Sequence, residues 1–414
     1  MVTRFGTLSL RRQVLSQKQG SHLIPANAVL PDHEGMIITR GLQEWVCLLP
    51  QQLSFASTVR LLGWQVAEEG LLSDTTVRHL VGAHGQIIRQ AELAEARALQ
   101  ERPDLQNLSA LLVLAPPSRP RFGWKPQMNA AITAALEQGS TRPPTGVTAA
   151  DWERVITARK QETTLSLDVL RQLGPRVRDG ETLAFVDEVL TRTPEHRKFW
   201  QLRTAEVVTS EGIRYFSGNA DTFLLVLTMF LRLCAVSHPS LRVLSDGARW
   251  IRFWFVGLLA FLPNAQLRLD WYHLCKKCRE LACMFCHGRA SKKDLLKPLF
   301  VHLWNGDVCA AVGLLEAYRA TARNMDALDE LIRTLQEREA FIPNYRANRR
   351  ECHYIGSGLV EKANDLLVSQ RQKGQGMHWS LQTSDALAAL QTLLLNGGWD
   401  RYRQDREVLP LVAN

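Results

Sequence analysis

The sequence predicts a multidomain protein of the α+β or α/β class, in which a helical N-terminal region precedes a mixed sheet that a large all-helical insertion interrupts. Apolar residues recur at helical spacing from Leu42 to Leu99. Short β-prone apolar runs cluster after residue 181, and residues 274–345 again have a helical pattern. A chain of 414 residues is also long enough for two or three domains.

Breaks in these patterns divide the chain into successive segments. Pro and Gly are frequent between Pro116 and Pro144, which is typical of a linker. The predicted segments are a strand-and-turn start at 1–40, a helical DNA-binding region at 41–115, the Pro-rich linker at 116–150, the first part of the sheet-forming core at 151–273, the α-helical insertion at 274–350, and the rest of the core with an acidic helix and tail at 351–414.

The helical N-terminal region contains a turn followed by a clear helix start. Ser73 or Asp74 is in position to cap a helix, and polar residues follow in its first turn. A helix-turn-helix places such residues where its recognition helix meets base edges. The predicted DNA-contacting residues here are Thr75, Thr76 and Arg78. Many three-helix bundles contain similar turns, so a purely structural interpretation stays open.

Five apolar runs predict the strands of the sheet, at 182–186, 199–208, 213–216, 241–244 and 266–269. An apolar helix at 221–236 separates the third run from the fourth. This order predicts a mixed sheet. Asp187 follows the first run and Asp246 follows the fourth. A carboxylate at the end of a strand projects into a crevice and not into a core.

Three acidic residues stand out by their context. They are Asp187, Asp246 before Gly-Ala, and Glu361 on a helix that begins after Gly-Ser-Gly. Mg²⁺ takes oxygen ligands, and phosphoryl transfer on DNA uses two such ions about 3.5–4 Å apart. Carboxylates from separate elements can hold such a pair, but spacing along the chain does not show that they meet. Each acid taken alone has the alternative of a solvated residue.

Four ordered blocks carry a resemblance to a known family. The blocks read SDGARWI at 245–251, LDWYH at 269–273, GSGLVE at 356–361 and RQKGQGMHW at 371–379. Together they resemble bacterial insertion-sequence DDE transposases of the Kra-type group, over about residues 181–400. The helical region upstream lies where the family has its helix-turn-helix.

The resemblance implies an RNase H-like catalytic core with a helical insertion before the last acidic helix. It implies that Asp187, Asp246 and Glu361 are the catalytic acids and the ligands of two Mg²⁺ or Mn²⁺ ions, with Asp270 and His273 supporting the site. The family usually has Asp-Gly at the first acid, whereas this chain has Asp187 followed by Glu. Glu188 is therefore an alternative first acid, because a shift of one residue in a strand reverses the face.

The activity implied by the resemblance is metal-dependent cleavage of transposon ends followed by strand transfer. The implied partners are terminal and target DNA and further copies of the chain, in a dimer or larger oligomer. Two alternatives stay open: a transposase-derived DNA-binding protein without activity, and a general RNase H-like nuclease. Members of the family often begin with a cysteine-bearing zinc element, and residues 11–20 contain no Cys, so no N-terminal zinc site is expected.

Basic residues are concentrated in two zones of the chain. Residues 111–180 carry ten basic and six acidic side chains, and residues 271–350 carry fourteen and nine, within a net charge of +9. Clustered cations attract a phosphate backbone, although a solvated helix face gives the same pattern. The remaining predicted DNA-contacting residues are Lys276, Lys277, Lys292 and Lys293 of the insertion and Arg371, Lys373 and Trp379 of the last block. For Trp379, core packing is the favoured alternative.

Composition excludes several classes of protein. With 46% hydrophobic and 22% charged residues the chain is not disordered as a whole. The eight Cys and the absence of a secretory signal predict a reducing, cytoplasmic location near the nucleoid. The longest apolar stretches, 222–236 and 250–262, each contain Arg and are shorter than the ~20 residues of a membrane span, so no membrane partner is expected. Cys275, Cys278, Cys283 and Cys286 are predicted to face one buried side of a helix.

Overall fold

The computed structural model describes residues 2–7, 38–102, 180–195, 198–238, 240–259, 264–351, 353–374 and 376–406, with a few isolated positions between them. The predicted linker at 116–150 and most of residues 151–179 lie outside this part of the chain. At the N-terminus, β1 (Val2–Thr3) pairs with β2 (Gly6–Thr7), and β3 (Leu15–Ser16) pairs with β4 (His22–Leu23). These short pairs agree with the predicted strand-and-turn start.

Three helices follow, α1 (Arg40–Leu48), α2 (Phe55–Val66) and α3 (Asp74–Gln100). Ser73 caps α3, because its Oγ accepts a hydrogen bond from the backbone N–H of Thr76 at 3.0 Å. Residues 67–73, which join α2 to α3, form a longer connection than the turn of about three to four residues in a helix-turn-helix. The predicted start of α3 is confirmed, and the connection before it is more extended than expected.

A five-stranded sheet forms the central part of the described chain, with β5 (Glu181–Arg192), β6 (Phe199–Thr209), β7 (Gly212–Gly218), β8 (Ser240–Ser245) and β9 (Ala265–Leu269). The spatial order is β7-β6-β5-β8-β9. Strands β5, β6 and β7 are antiparallel neighbours, whereas β8 runs parallel to β5 and β9 parallel to β8. The predicted mixed sheet is confirmed.

Each face of the sheet is apolar and is covered by helices. Ala184 and Val186 of β5 belong to one hydrophobic core, and Leu183 and Phe185 belong to another, as the alternation of a strand requires. The first face packs against α4 (Ala220–Ser237) and α5 (Arg249–Leu258). Within the described residues no helix, α4 included, is both long enough and apolar enough to cross a membrane.

The segment after β9 is helical, as predicted, and has its own hydrophobic core. Its helices are α6 (Trp271–Phe285), α7 (Gly288–Trp304), α8 (Val308–Ala317), α9 (Met325–Arg338) and α10 (Tyr345–Arg350), with 3₁₀ turns at Tyr318–Thr321 and Glu339–Phe341. The centre of the Trp271 ring lies 4.8 Å from the centre of the Trp304 ring and 4.9 Å from that of the Tyr345 ring. This aromatic cluster fixes the first helix of the insertion against the last.

The cysteines of α6 do not all share a buried face. Cys275, Cys278 and Cys286 are buried, but Cys283 is exposed, so the prediction is wrong for Cys283. At about 100° per residue, five residues beyond Cys278 turn the helix roughly 140° away from the buried side. Helix α6 also ends at Phe285, so Cys286 lies just past it.

The C-terminal part of the chain returns to the sheet and then to the N-terminal helices. It contains α11 (Gly358–Asn364), a π-helical turn (Asp365–Ser369), a helical turn (Gln370–Gln372), α12 (Leu381–Leu395) and α13 (Trp399–Asp405). Helix α11 covers the second face of the sheet. Helix α12 packs along α3, where a Cβ on Gly85 would lie 2.4 Å from the Cα of Ala386. The N-terminal helices therefore share a hydrophobic core with the C-terminal segment.

Candidate active site

The register of the sheet places two of the predicted acids side by side. Phe185 and Leu244 are the last aligned pair of the parallel β5–β8 ladder. Asp187 and Asp246 each follow that pair by two residues. The carboxyl ends of neighbouring parallel strands form one edge of a sheet, which is where open α/β sheets bind ligands. Asp187 was predicted at the end of a strand. Strand β5 instead continues to Arg192 through its pairing with β6, so Asp187 lies within it.

Asp187 is held by an interaction that the sequence did not reveal. Asn364, on α11, donates a hydrogen bond from Nδ2 to Oδ2 of Asp187 at 2.7 Å. Asn364 in turn accepts one from the hydroxyl of Thr204 on β6. Burial, with the charge of Asp246, raises the pKa of Asp187 to about 6, although hydrogen bonds from Glu188 and Asn364 oppose this. Burial is the larger cause of this rise, and the Asp246 carboxylate contributes to it through its charge.

Glu188 lies on the opposite face of β5. Its Oε2 accepts a hydrogen bond from Nε1 of Trp250 at 2.6 Å, and a second from Gln201 on β6. Trp250 belongs to the start of α5, on the side of the sheet away from α11. Asp187, and not the alternative Glu188, is therefore the residue that shares a side with the helix of Glu361.

Asp246 lies in a tight loop between β8 and α5. Its Oδ1 accepts a hydrogen bond from the backbone N–H of Ala248 at 2.8 Å. Gly247 has φ +75°, and a Cβ there would lie 2.5 Å from Cδ1 of Leu269. Both observations require glycine at this position. The Asp-Gly-Ala sequence thus forms the tight turn that holds Asp246 at the edge of the sheet.

Glu361, on α11, is near a histidine that also lies close to Asp270. Its Oε1 lies 3.8 Å from Nε2 of His273 on α6. The other ring nitrogen of His273 lies 3.5 Å from Oδ1 of Asp270. The nearby carboxylate of Asp270, together with the charges of Asp246 and Glu361, raises the pKa of His273 against the effect of burial. His273 is therefore the group through which Glu361 is connected to the other acids.

Asp270 joins the two ends of the helical insertion. It is 2% exposed, and it accepts hydrogen bonds from the backbone N–H of His273 at 2.8 Å, from the hydroxyl of Ser357 at 2.7 Å and from the Ser357 N–H. The adjacent Trp271 N–H donates to the carbonyl of Ile355 at 2.8 Å. Burial alone would raise the pKa of Asp270, but these hydrogen bonds outweigh it and lower the pKa. Asp270 therefore supports the site by positioning α6 and α11.

A cavity of about 300 Å³ opens beside the acids, between the sheet edge and the insertion. Its polar lining consists of the cations Lys276, Lys277 and Arg338, the acids Asp246 and Glu280, and the side chains of His273 and Thr334. Arg338, the last residue of α9, was not indicated by the sequence, because one Arg among the many of the insertion carries no local signal. The cavity places cationic side chains next to a predicted catalytic acid.

The lysines of the insertion differ in their surroundings. Lys276 and Lys293 are exposed. Lys277 forms an ion pair with Glu330 of α9 at 2.7 Å, and Nζ of Lys292 donates to Sγ of Cys283 at 2.6 Å. Lys276 and Lys277 line the cavity, whereas Lys292 and Lys293 belong to α7 and are absent from its lining.

Two residues of the last sequence block lie in the core. Trp379 is 7% exposed, and its Nε1 donates to the carbonyl of Gln372 at 2.9 Å. Arg371 is 8% exposed, its Nε donates to the carbonyl of Pro50, and its guanidinium lies 4.8 Å from the centre of the Trp379 ring. This placement does not suit the predicted contact of either residue with DNA. Of the three predicted residues in this block, only Lys373 is exposed.

The polar residues at the start of α3 are near the surface, as their prediction requires. Thr75 and Arg78 are exposed, and Arg78 forms an ion pair with Asp74 at 3.5 Å. The side chain of Thr76 is hydrogen-bonded to that of Ser73 at 2.8 Å and is partly buried. Thr75 and Arg78 therefore remain accessible to a partner.

The donor set at the sheet edge suits a hard divalent cation. Carboxylate oxygens are the ligands that Mg²⁺ and Mn²⁺ prefer. Asp187 and Asp246 repel each other, and a divalent cation between them would relieve that repulsion. Within the residues that the structure describes, no three His, Cys, Asp or Glu side chains are assembled as a metal-binding group.

Comparison of the sequence with protein-family models gives no match, and comparison with curated proteins gives none either.

Proposed function

We propose that the chain is a DNA transposase of the insertion-sequence DDE type, which cuts the ends of its element and joins them to target DNA. The observation that carries the proposal is the convergence of separate acids at one edge of the sheet. Asp187 and Asp246 follow the same aligned pair of β5 and β8, and Glu361 reaches that edge through His273. The proposal also draws on the four sequence blocks, of which the first contains Asp246, the second Asp270 and His273, and the third Glu361.

Asp187, Asp246 and Glu361 are the residues that would hold the metal ions, Mg²⁺ or Mn²⁺. When bound, a pair of such ions stabilises the attacking and leaving oxygens in displacement at a phosphodiester. Asn364 holds Asp187 through a hydrogen bond, and His273 lies between Asp270 and Glu361, 3.5 and 3.8 Å from their carboxylate oxygens. The chain's own residues thus position the acids, and the cations of the adjacent cavity attract the DNA backbone.

The all-helical insertion supplies the surface along which DNA would approach the acids. Lys276 and Lys277 project from α6, the helix that also carries His273. The start of α3 is the proposed region for reading the terminal repeats. Two DNA ends must be brought together for transposition, so we propose that the active form contains two or more copies of the chain.

A cleavage assay tests the proposal. The substrate is linear DNA that carries the sequences flanking the gene, and the reaction is run with Mg²⁺ and with EDTA. Wild-type protein is expected to cut at the two element ends only with Mg²⁺. Asp246→Asn and Glu361→Gln should lower the rate by roughly a thousandfold or more, which corresponds to about 4 kcal/mol of activation free energy, and should leave DNA binding intact.

Asp365→Asn is the matched control, because Asp365 is an exposed acid just beyond α11. It is expected to retain the wild-type rate. Binding of the ends without any cutting by the wild type would instead indicate a transposase-derived DNA-binding protein. Cutting at arbitrary positions, without joining, would indicate a general nuclease. Undiminished cutting by the Asp246→Asn protein would show that the acids are wrongly assigned.

A further inference from the structure

Arg338 projects from the insertion towards the loop that carries Asp246. It is the last residue of α9, and its Nε lies 3.4 Å from the position that a Cβ on Gly247 would occupy. It lines the same 300 Å³ cavity as Asp246 and Lys276. A side chain of the insertion thus packs directly on the backbone beside a proposed catalytic acid.

Arg338 forms no ion pair within 4.0 Å among the described residues, although the charges of Asp246 and Glu337 act on it. Its Nε is buried and makes no hydrogen bond. Asp246 is near enough to interact electrostatically, but it forms no ion pair with Arg338. The neighbouring Glu337 is engaged by Arg252, whose Nη1 donates to its carbonyl at 3.2 Å and whose Nη2 lies 3.5 Å from its carboxylate. Glu337, the acidic residue next to Arg338 in the chain, thus pairs with Arg252 and not with Arg338.

A half-buried, unpaired guanidinium is unfavourable in the absence of a ligand. The buried Nε of Arg338 donates no hydrogen bond among the described residues, and an N–H that is removed from water without an acceptor is costly. Burial and the charge of Arg252 lower the pKa of Arg338, and the charges of Asp246 and Glu337 oppose this effect. An anion in the cavity would supply the missing charge and accept the unused N–H groups. Lys276, which is exposed and lines the same cavity, adds a second cation for such an anion.

We propose that Arg338 binds the DNA phosphodiester on which the acids act, and so brings the helical insertion into the active site. The guanidinium is a planar fork that matches two phosphate oxygens, whereas the lysines supply point charges. The position of Arg338 beside Asp246 places a bound phosphate at the edge of the sheet where the acids converge. This inference rests on the proposed function, since it names DNA as the source of the phosphate.

The test measures binding of a short duplex of unrelated sequence at several salt concentrations in the absence of divalent cations. Arg338→Gln is compared with wild type, and Arg333→Gln on the exposed side of the same helix is the matched control. Loss of one phosphate contact should lower the slope of log K against log salt by about one. Arg333→Gln should leave the slope unchanged, and Arg338→Lys should retain the slope because it keeps a cation.

Thermal unfolding separates binding from a structural role. Arg338→Gln removes a half-buried charge whose Nε makes no hydrogen bond among the described residues, so its melting temperature should equal or exceed that of the wild type. An unchanged salt slope in Arg338→Gln overturns the inference and leaves the proposed function standing. A wild type that binds inorganic pyrophosphate through Arg338 but does not bind the duplex overturns both the choice of DNA as ligand and the proposed function.

Discussion

Two regions of the molecule, one with the buried Arg89 and one with the half-buried Arg338, differ in what the arginine contacts. In the core between α3 and α12, Arg89 forms ion pairs with Asp385 at 3.1 Å and with Glu92 at 2.8 Å. In the cavity beside Asp246, Arg338 has no such partner among the described residues. A paired buried charge is tolerated and an unpaired one is costly. The α3–α12 core is therefore arranged for stability, and the Asp246 cavity is arranged to receive an anion.

Arg371 belongs with Arg89 in this comparison. Its Nε donates to a main-chain carbonyl, and its guanidinium lies over the rings of Trp379 and Phe55, at 4.8 and 5.6 Å from their centres. Every one of these partners lies within the protein. A basic residue in a sequence block with a resemblance to DNA-processing enzymes is thus explained by packing once its neighbours are known.

The largest stability effect is expected for Arg89→Met. The substitution leaves Asp385 and Glu92 buried without their cation, and loss of one partner of a buried pair costs about 3–5 kcal/mol. Chemical denaturation should show this decrease in the free energy of unfolding. Arg97→Met, at an exposed position of the same helix, should change it by no more than about 0.5 kcal/mol. A cost below about 1 kcal/mol for Arg89→Met would remove the contrast between the two regions.

A smaller, pH-dependent effect is expected from His84, also in the α3–α12 core. Burial, with the charge of Arg406, lowers the pKa of His84 from its ordinary 6.5 to about 4. The unfolded chain therefore binds a proton before the folded chain does, and stability should fall as pH drops from 6.5 towards 4, by about 1.4 kcal/mol per pH unit at most. Denaturation of wild type and His84→Gln across this window measures the effect. Parallel pH profiles for the two proteins would contradict it.

The smallest stability change belongs to the Asp246 cavity. Arg338→Gln is expected to leave the free energy of unfolding unchanged or slightly higher, although it weakens DNA binding. The two substitutions thus have different expected effects. Arg89→Met should lower the free energy of unfolding, and Arg338→Gln should weaken DNA binding.

Much of the fold follows from local sequence. The apolar, β-prone runs at 182–186, 199–208 and 241–244 identified strands, because strands that are covered on both faces have nearly continuous apolar sequences. Ser73 marked the start of α3 through its capping chemistry. The helical spacing of 274–345 identified the insertion. These strands and helices are determined by residues close together in the chain, so they can be predicted from the sequence.

The arrangement of the site depends on contacts between distant segments and was only partly predictable. Asp187 and Asp246 were identified by motif, but their alignment depends on the register of β5 with β8. Asn364 and Arg338 were missed, because their roles come from a strand and a loop far away in the chain. Trp379 was among the predicted DNA-contacting residues with core packing as the favoured alternative, and in the structure its side chain is buried.

The central claim is that the acids at the edge of the sheet bind a divalent cation together. Calorimetric titration of the wild-type protein with Mn²⁺ tests it most directly, beside Asp187→Asn/Asp246→Asn and the control Asp365→Asn. The account predicts that wild type and control bind Mn²⁺ alike, and that the double variant binds at least about tenfold more weakly, a loss of about 1.4 kcal/mol or more. Identical titrations for all three proteins would contradict it.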